Sequence, residues 1–154
     1  MRVLDLFAGS GALGLTALAR GAAAAVFVER DGRLVEGIRK ALAKEGWAAR
    51  AEVWRRDALS AVRDFGGAGR TFDLILMDPP YGEGWIPRVL HAVRAAGLVA
   101  PGGLIVAEGH WRDRPAGEPG IPMRREARYG ETALWFFDVE PGAAPHAAAE
   151  GADS

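Results

Sequence analysis

Short apolar runs of β type recur at Val3–Phe7, Ala25–Val28, Glu52–Trp54, Phe72–Met77, Leu104–Ala107 and Ala133–Val139, and segments with helical spacing separate them for most of the chain. This alternation predicts an α/β fold built on a mostly parallel sheet with helices on both faces. The clearest helix follows the second run. Asp31 can cap its start, Leu34, Val35, Ile38 and Leu42 form one apolar stripe, and Gly46 can end it. Ile86, Val89, Leu90 and Val93 make a second stripe that stops at Gly97. Tyr129-Gly130-Glu131-Thr132 separates two strand-like segments and reads as a tight hairpin with glycine at positive φ, which makes the last strand antiparallel. Gly66-Gly67-Ala68-Gly69 and Arg114–Pro122 read as loops.

Beyond Val139 the chain is Ala, Gly, Pro, His and acids without periodicity, which cannot bury enough apolar area to offset chain entropy. Residues 1–139 are therefore expected to be one domain, and 140–154 a disordered acidic tail. The tail also sets the sign of the charge. Glu140, Glu150 and Asp153 are its three acids and it has no Lys or Arg, so the net charge of −1 for the whole chain becomes +2 for residues 1–139.

Composition narrows the chemistry. There is no cysteine, and the three histidines, His91, His110 and His146, have no ligand spacing, so no metal is expected. No segment reaches the roughly 18 apolar residues of a membrane span, and a cytoplasmic, monomeric protein is the expectation.

Gly9-Ser10-Gly11-Ala12-Leu13-Gly14 is a G-x-G-x-x-G between a strand and a helix, where small residues let a ligand approach the backbone. In a chain with 21 glycines about 0.4 such matches arise by chance, so only the strand–turn–helix context makes it informative. A plain βα turn is the bland alternative. Asp78-Pro79-Pro80-Tyr81 is far more specific, and it lies just past a strand end, where open α/β sheets bind ligands. Two prolines fix φ and stiffen the loop. Such a turn holds a carboxylate, an outward carbonyl and an aromatic face in fixed geometry, as recognition of a planar aminated base requires.

An exocyclic amine is a poor nucleophile because its lone pair is delocalised into the ring. The Asp78 carboxylate and the Pro79 carbonyl can each accept one N–H, aiming the lone pair at an electrophilic methyl, while Tyr81 stacks on the ring. Glu29 and Asp57 end the second and third strand runs. A carboxylate ending the second strand commonly binds ribose hydroxyls, and by the same geometry Asp57 can reach an adenine amino group. Plain surface acids are the bland alternative for both.

Asp5-Leu6-Phe7-Ala8-Gly9-Ser10-Gly11, Val28-Glu29-Arg30-Asp31, Arg56-Asp57-Ala58 and Asp78-Pro79-Pro80-Tyr81, in this order, resemble class I methyltransferases that modify amino groups. The resemblance is closest to the RsmD family of bacterial 16S ribosomal RNA guanine-N2 methyltransferases, over about residues 1–139. It implies a Rossmann-like sheet with a reversed last strand. It implies S-adenosylmethionine as cofactor, with Asp5, Phe7, Gly9, Ser10 and Gly11 at the methionine part, Glu29 and Arg30 at the ribose, and Asp57 with Ala58 at the adenine. Asp78, Pro79, Pro80 and Tyr81 would hold the guanine of ribosomal RNA or of a small-subunit assembly intermediate.

Members of that family carry a basic hairpin and helix ahead of the first strand. Weak RNA binding by this chain alone is therefore expected, with Arg112, Arg114, Arg124, Arg125 and Arg128 as the basic groups that remain. Other readings stay open. An NAD-dependent oxidoreductase would share the glycine loop and Glu29 but not the Asp-Pro-Pro-Tyr turn. A non-catalytic cofactor-binding module, or an enzyme acting on adenine N6 or a protein amide, also fits the residues.

Overall fold

A computed structural model describes residues 1–140 of the chain, and the expected tail, 140–154, lies outside the described residues from 141 onward. The strands are β1 (Arg2–Leu6), β2 (Ala24–Glu29), β3 (Ala51–Arg55), β4 (Phe72–Met77), β5 (Val99–His110), β6 (Met123–Tyr129) and β7 (Thr132–Asp138). Four α-helices, α1 (Ala12–Ala19), α2 (Gly32–Glu45), α3 (Ala58–Gly67) and α4 (Trp85–Ala96), lie between them. The strands form one sheet in the order β3-β2-β1-β4-β5-β7-β6. It is parallel from β3 through β5, and β7 enters antiparallel to β5 and pairs antiparallel with β6.

Two apolar layers flank the sheet. One holds Leu4, Leu6, Val62, Phe65, Leu90 and Trp135 under α3 and α4. The other holds Val3, Leu18, Phe27, Ile38 and Leu42 under α1 and α2. Three residues of the expected α2 stripe, Val35, Ile38 and Leu42, are buried, while the fourth, Leu34, is exposed. Asp31 accepts N–H bonds from Arg33 and Leu34, and Gly46 closes the helix in the left-handed region. The Gly130-Glu131 turn joins β6 to β7, with Gly130 at φ 60°.

Three elements differ from the sequence pattern. β1 stops at Leu6, and Phe7 takes φ 58°, a conformation rare for a bulky side chain and found where function tolerates strain. The glycines read as a loop at 66–69 instead close α3 through Gly67. A Cβ on Gly66 would stand 2.7 Å from that of Ala96, so the missing side chain lets α3 pack directly on α4. β6, with the sequence MRREARY, is an edge strand exposed at most positions, so it carries no apolar alternation to read.

The glycine loop is held from beneath. The Asp5 carboxylate, 1% exposed, accepts the Gly14 N–H at 3.0 Å, so a side chain of β1 caps the third residue of α1, whose own N-cap residue is Gly11. Such a carboxylate satisfies an orphan N–H and meets the positive end of the helix dipole. Gly14 allows this contact, since a Cβ there would lie 2.4 Å from Phe27 Cε2 and 3.1 Å from Asp5 Oδ2. We predict that Gly14→Ala lowers stability by about 1–3 kcal/mol through overpacking, measured by urea unfolding. A variant as stable as the parent would mean that α1 can move away from the sheet at no cost.

Candidate active site

The C-terminal ends of the parallel strands open onto a cleft of about 510 Å³, a size suited to a small ligand. Phe7 and Gly9 line it from the first βα turn, Glu29 and Arg30 from the end of β2, Arg56, Asp57 and Ala58 from the β3–α3 turn, and Asp78, Pro79, Pro80 and Tyr81 from the end of β4. The residues singled out in the sequence thus converge, with three exceptions. Asp5 lies below the loop, Gly11 is buried against Ile38, and Ser10 is exposed outside the lining.

Three of the loop's N–H groups are already used. Gly9 donates to Glu29 Oε1 at 2.9 Å, Gly11 to the Ala8 carbonyl at 2.8 Å, and Gly14 to Asp5. A dinucleotide pyrophosphate binds by taking such donors at a helix N-terminus. Here protein oxygens hold them, and five acids (Glu29, Asp57, Asp78, Glu83 and Glu108) face two arginines across the lining. One of those arginines, Arg56, is paired with Asp64 at 2.7 Å. The cleft therefore suits a cation and disfavours a diphosphate.

Glu29 fixes the second βα corner, since its Oε2 accepts the Asp31 N–H at 2.8 Å. A carboxylate offers about four acceptor positions, so each oxygen keeps one for a ligand hydroxyl. Asp57 caps α3 through the Ser60 N–H at 3.1 Å, and the Ser60 hydroxyl and N–H hold its carboxyl below the usual aspartate range. It stays ionised at the cleft edge.

Pro79 and Pro80 are followed by Gly82 and Gly84, both at positive φ, and Gly84 opens α4. The turn leaves Tyr81 52% exposed. Trp85 closes the cleft from α4, its ring 5.3 Å from that of Phe7 in an edge-on arrangement and under the Arg88 guanidinium at 4.0 Å.

Sequence reasoning gave Arg56 no role and missed Glu83, Trp85 and, above all, Glu108. Met77 and Ala107 pair in register, so Asp78, just past β4, and Glu108, within β5, follow side by side. Desolvation first, and then the charge of Asp78 and a hydrogen bond with it, raise the Glu108 carboxyl above its ordinary range. Desolvation also raises Asp78, against the hydrogen bond from Glu108 that lowers it. Two carboxyls this close titrate as a pair, and the hydrogen bond between them favours the proton on Glu108 over Asp78. The rule that picked out Glu29 and Asp57, an acid ending an apolar strand run, also picks out Glu108 after Leu104–Ala107.

The family model described as Conserved hypothetical protein 95 matches residues 1–138. The Ribosomal RNA small subunit methyltransferase D of Escherichia coli K12 is 32% identical over 141 residues, covering 89% of this chain and 68% of that protein. A conserved hypothetical protein of Streptococcus pyogenes superposes with TM-score 0.82 at 29% identity, over 92% of this chain and 87% of its own. The SAM-dependent methyltransferase of Agrobacterium tumefaciens shares the fold at 20% identity, with TM-score 0.65 over 92% of this chain and 56% of its own. No described helix is long and apolar enough to cross a membrane, and no group of three or more potential ligands among the described residues could hold a metal ion.

Burial, and then the charges of Asp78 and Glu29, push the Asp5 carboxyl up to about 7 from 3.8, against the lowering effect of the Gly14 bond. A raised carboxyl stabilises the fold fully below its unfolded value, and that contribution is lost as pH rises through the folded value. Unfolding free energy is therefore expected to fall between about pH 4 and about pH 8. An Asp5→Asn variant, which keeps an acceptor for Gly14, is expected to fall less, with a gap between the curves of at most about 4 kcal/mol at the alkaline end. Parallel curves would show that Asp5 does not titrate in this range.

Proposed function

The chain belongs to the Conserved hypothetical protein 95 family and is an RsmD-like methyltransferase, and from that premise we propose that it transfers a methyl group from S-adenosylmethionine to the exocyclic N2 amine of a guanine in 16S ribosomal RNA. The observation that carries this reading is the cleft in which the rigid Asp78-Pro79-Pro80-Tyr81 turn faces Glu29 and Asp57. One end offers acceptors for a nucleoside, and the other offers acceptors and an aromatic face for an aminated base.

Bound S-adenosylmethionine supplies an electrophilic methyl on a sulfonium, and the acidic lining matches that positive charge. Glu29 takes the ribose hydroxyls with its remaining lone pairs, with Arg30 beside it. Asp57 and the Ala58 backbone meet the adenine edge. Phe7 and Gly9 bound the methionine end, and Asp5 acts from below by fixing the Gly14 N–H and hence the loop above it. Ser10 and Gly11 contribute through the shape of that loop.

At the acceptor end Tyr81 stacks on the base, while Asp78 and the Pro79 carbonyl take the two amine hydrogens and turn the nitrogen lone pair toward the methyl. Pro80 keeps that carbonyl and carboxylate in fixed relation. As the N–CH₃ bond forms and the S–CH₃ bond breaks, positive charge grows on the nitrogen, and the Asp78 carboxylate stabilises it most at that point. The surplus proton then passes to the Asp78–Glu108 carboxyl pair.

Calorimetry with S-adenosylhomocysteine and with NADH tests the cofactor. The homocysteine product is expected to bind and NADH is not, and the reverse result would overturn the reading. Asp78→Ala is expected to lower single-turnover methyl transfer to small-subunit RNA by on the order of 100- to 1,000-fold, with little change in affinity for the uncharged thioether S-adenosylhomocysteine. An unchanged rate would leave the turn as scaffold alone.

A further inference from the structure

A second cleft of about 410 Å³ lies on the other side of the Asp-Pro-Pro-Tyr turn. Pro79, Pro80, Tyr81 and Trp85 separate the two clefts, and Arg112 and Arg114 stand at the rim of the second. From its mouth a line of rings runs outward. Tyr81 meets His110 edge-on at 6.3 Å, and His110 stacks on Trp111 at 6.0 Å with 28° between planes. Trp111 has the Arg128 guanidinium 3.9 Å and that of Arg112 5.3 Å from its ring centroid.

Backbone bonds hold this line rigidly. Trp111 donates its N–H to the Glu131 carbonyl in the β6–β7 turn at 2.9 Å, and His110 Nδ1 accepts the Arg112 N–H at 3.1 Å. Arg128 Nε donates to the Gly130 carbonyl at 3.1 Å, which orients its guanidinium over Trp111. Of the neighbouring arginines, Arg114 pairs with Glu126 at 3.2 Å and Arg124 with Asp138 at 3.1 Å, while Arg125 lies over the Phe136 ring. Arg112 and Arg128 form no ion pair among the described residues, so their charges stand open to solvent beside an aromatic surface.

Resting on the ribosomal RNA reading above, we propose that Trp111, Arg112 and Arg128 form a platform for the single-stranded RNA that flanks the target base. Stacking on aromatic rings and guanidinium planes is how unpaired nucleotides are held without regard to sequence. The two guanidiniums keep N–H donors free for phosphate oxygens. An unpaired strand lying across Trp111 and His110 has its next base at Tyr81, which already closes the cofactor cleft. The platform thus sets the direction from which the base enters.

The test is binding of a fluorescein-labelled single-stranded oligoribonucleotide over a salt series, alongside methyl transfer to small-subunit RNA. An Arg112→Ala/Arg128→Ala variant is expected to raise the RNA dissociation constant and KM at least about tenfold and to flatten the salt dependence by about 1.4, near 0.7 for each phosphate that the variant no longer neutralises. Its kcat and S-adenosylhomocysteine affinity are expected to stay unchanged. Trp111→Ala is expected to weaken RNA binding about 5- to 150-fold with little change in salt slope, and Trp111→Phe to restore most of it. Arg33→Ala/Lys40→Ala, in the remote groove along α2, is the control. RNA affinity unchanged in the arginine pair, or weakened equally in the control, would overturn the platform. If the parent protein binds RNA with this dependence yet transfers no methyl group to any RNA, the functional reading fails and the platform stands.

Discussion

The hydrogen bond from Gly14 to the buried Asp5 carboxylate ties the first strand to the first helix, and the geometry of the cleft follows from it. The carboxylate caps α1 from inside the sheet, so α1 needs no capping side chain of its own and Gly11 can take the left-handed turn at φ 83°. That turn, with Phe7 and Gly9 also at positive φ, folds the loop so that Gly9 reaches Glu29 at the end of β2. Two acids on neighbouring strands thereby hold the two ends of one glycine loop. The arrangement has a cost, since a carboxyl buried beside Asp78 and Glu29 resists ionisation. Such a cost is tolerated where the shape it enforces has a use.

Strand order divides the labour. Sheets of this kind bind ligands where successive connections leave in opposite directions, here between β1 and β4. The turns after β1, β2 and β3 supply Gly9, Glu29 and Asp57 to one side of the cleft. Those after β4 and along β5 supply the Asp-Pro-Pro-Tyr turn and Glu108 to the other. The reversed strand β7 locks β5 on its far edge from Leu104 to His110. That pairing extends β5 past Glu108 as far as His110, so the antiparallel end of the sheet stiffens the side of the cleft that faces the second cavity.

Much of this was legible because it depends on local pattern. Asp31, Gly46, Gly97 and Gly130 punctuate the chain as cap and turn chemistry require, and the Asp-Pro-Pro-Tyr turn announces itself by composition. What escaped depends on neighbours far along the chain. Glu108 reads as one acid in a strand until the register of β4 and β5 sets it beside Asp78. Gly66 reads as flexibility until Ala96 occupies the space a side chain would need. β6 has no apolar period because it is an edge whose faces are largely wet. Asp5 sits in the motif that marks a cofactor loop, but the sequence cannot say that its carboxylate turns inward to the helix and away from the cleft.

The same distinction separates two ligand classes that share one signature. A G-x-G-x-x-G followed 20 residues after its first glycine by an acid fits a dinucleotide site as well as a nucleoside-sulfonium site. The difference lies in who holds the loop's N–H donors. Where they point at open solvent, a pyrophosphate completes them. Where Glu29, the Ala8 carbonyl and Asp5 hold three of them, as here, an arriving phosphate finds oxygens already in place and would meet like charge from Asp57 and Asp78 in the cleft. A cationic ligand gains from the same surroundings, because each ionised acid that disfavours ionised Asp5 is an attractive charge for a sulfonium. Binding such a ligand offsets the electrostatic strain that the fold holds at its centre.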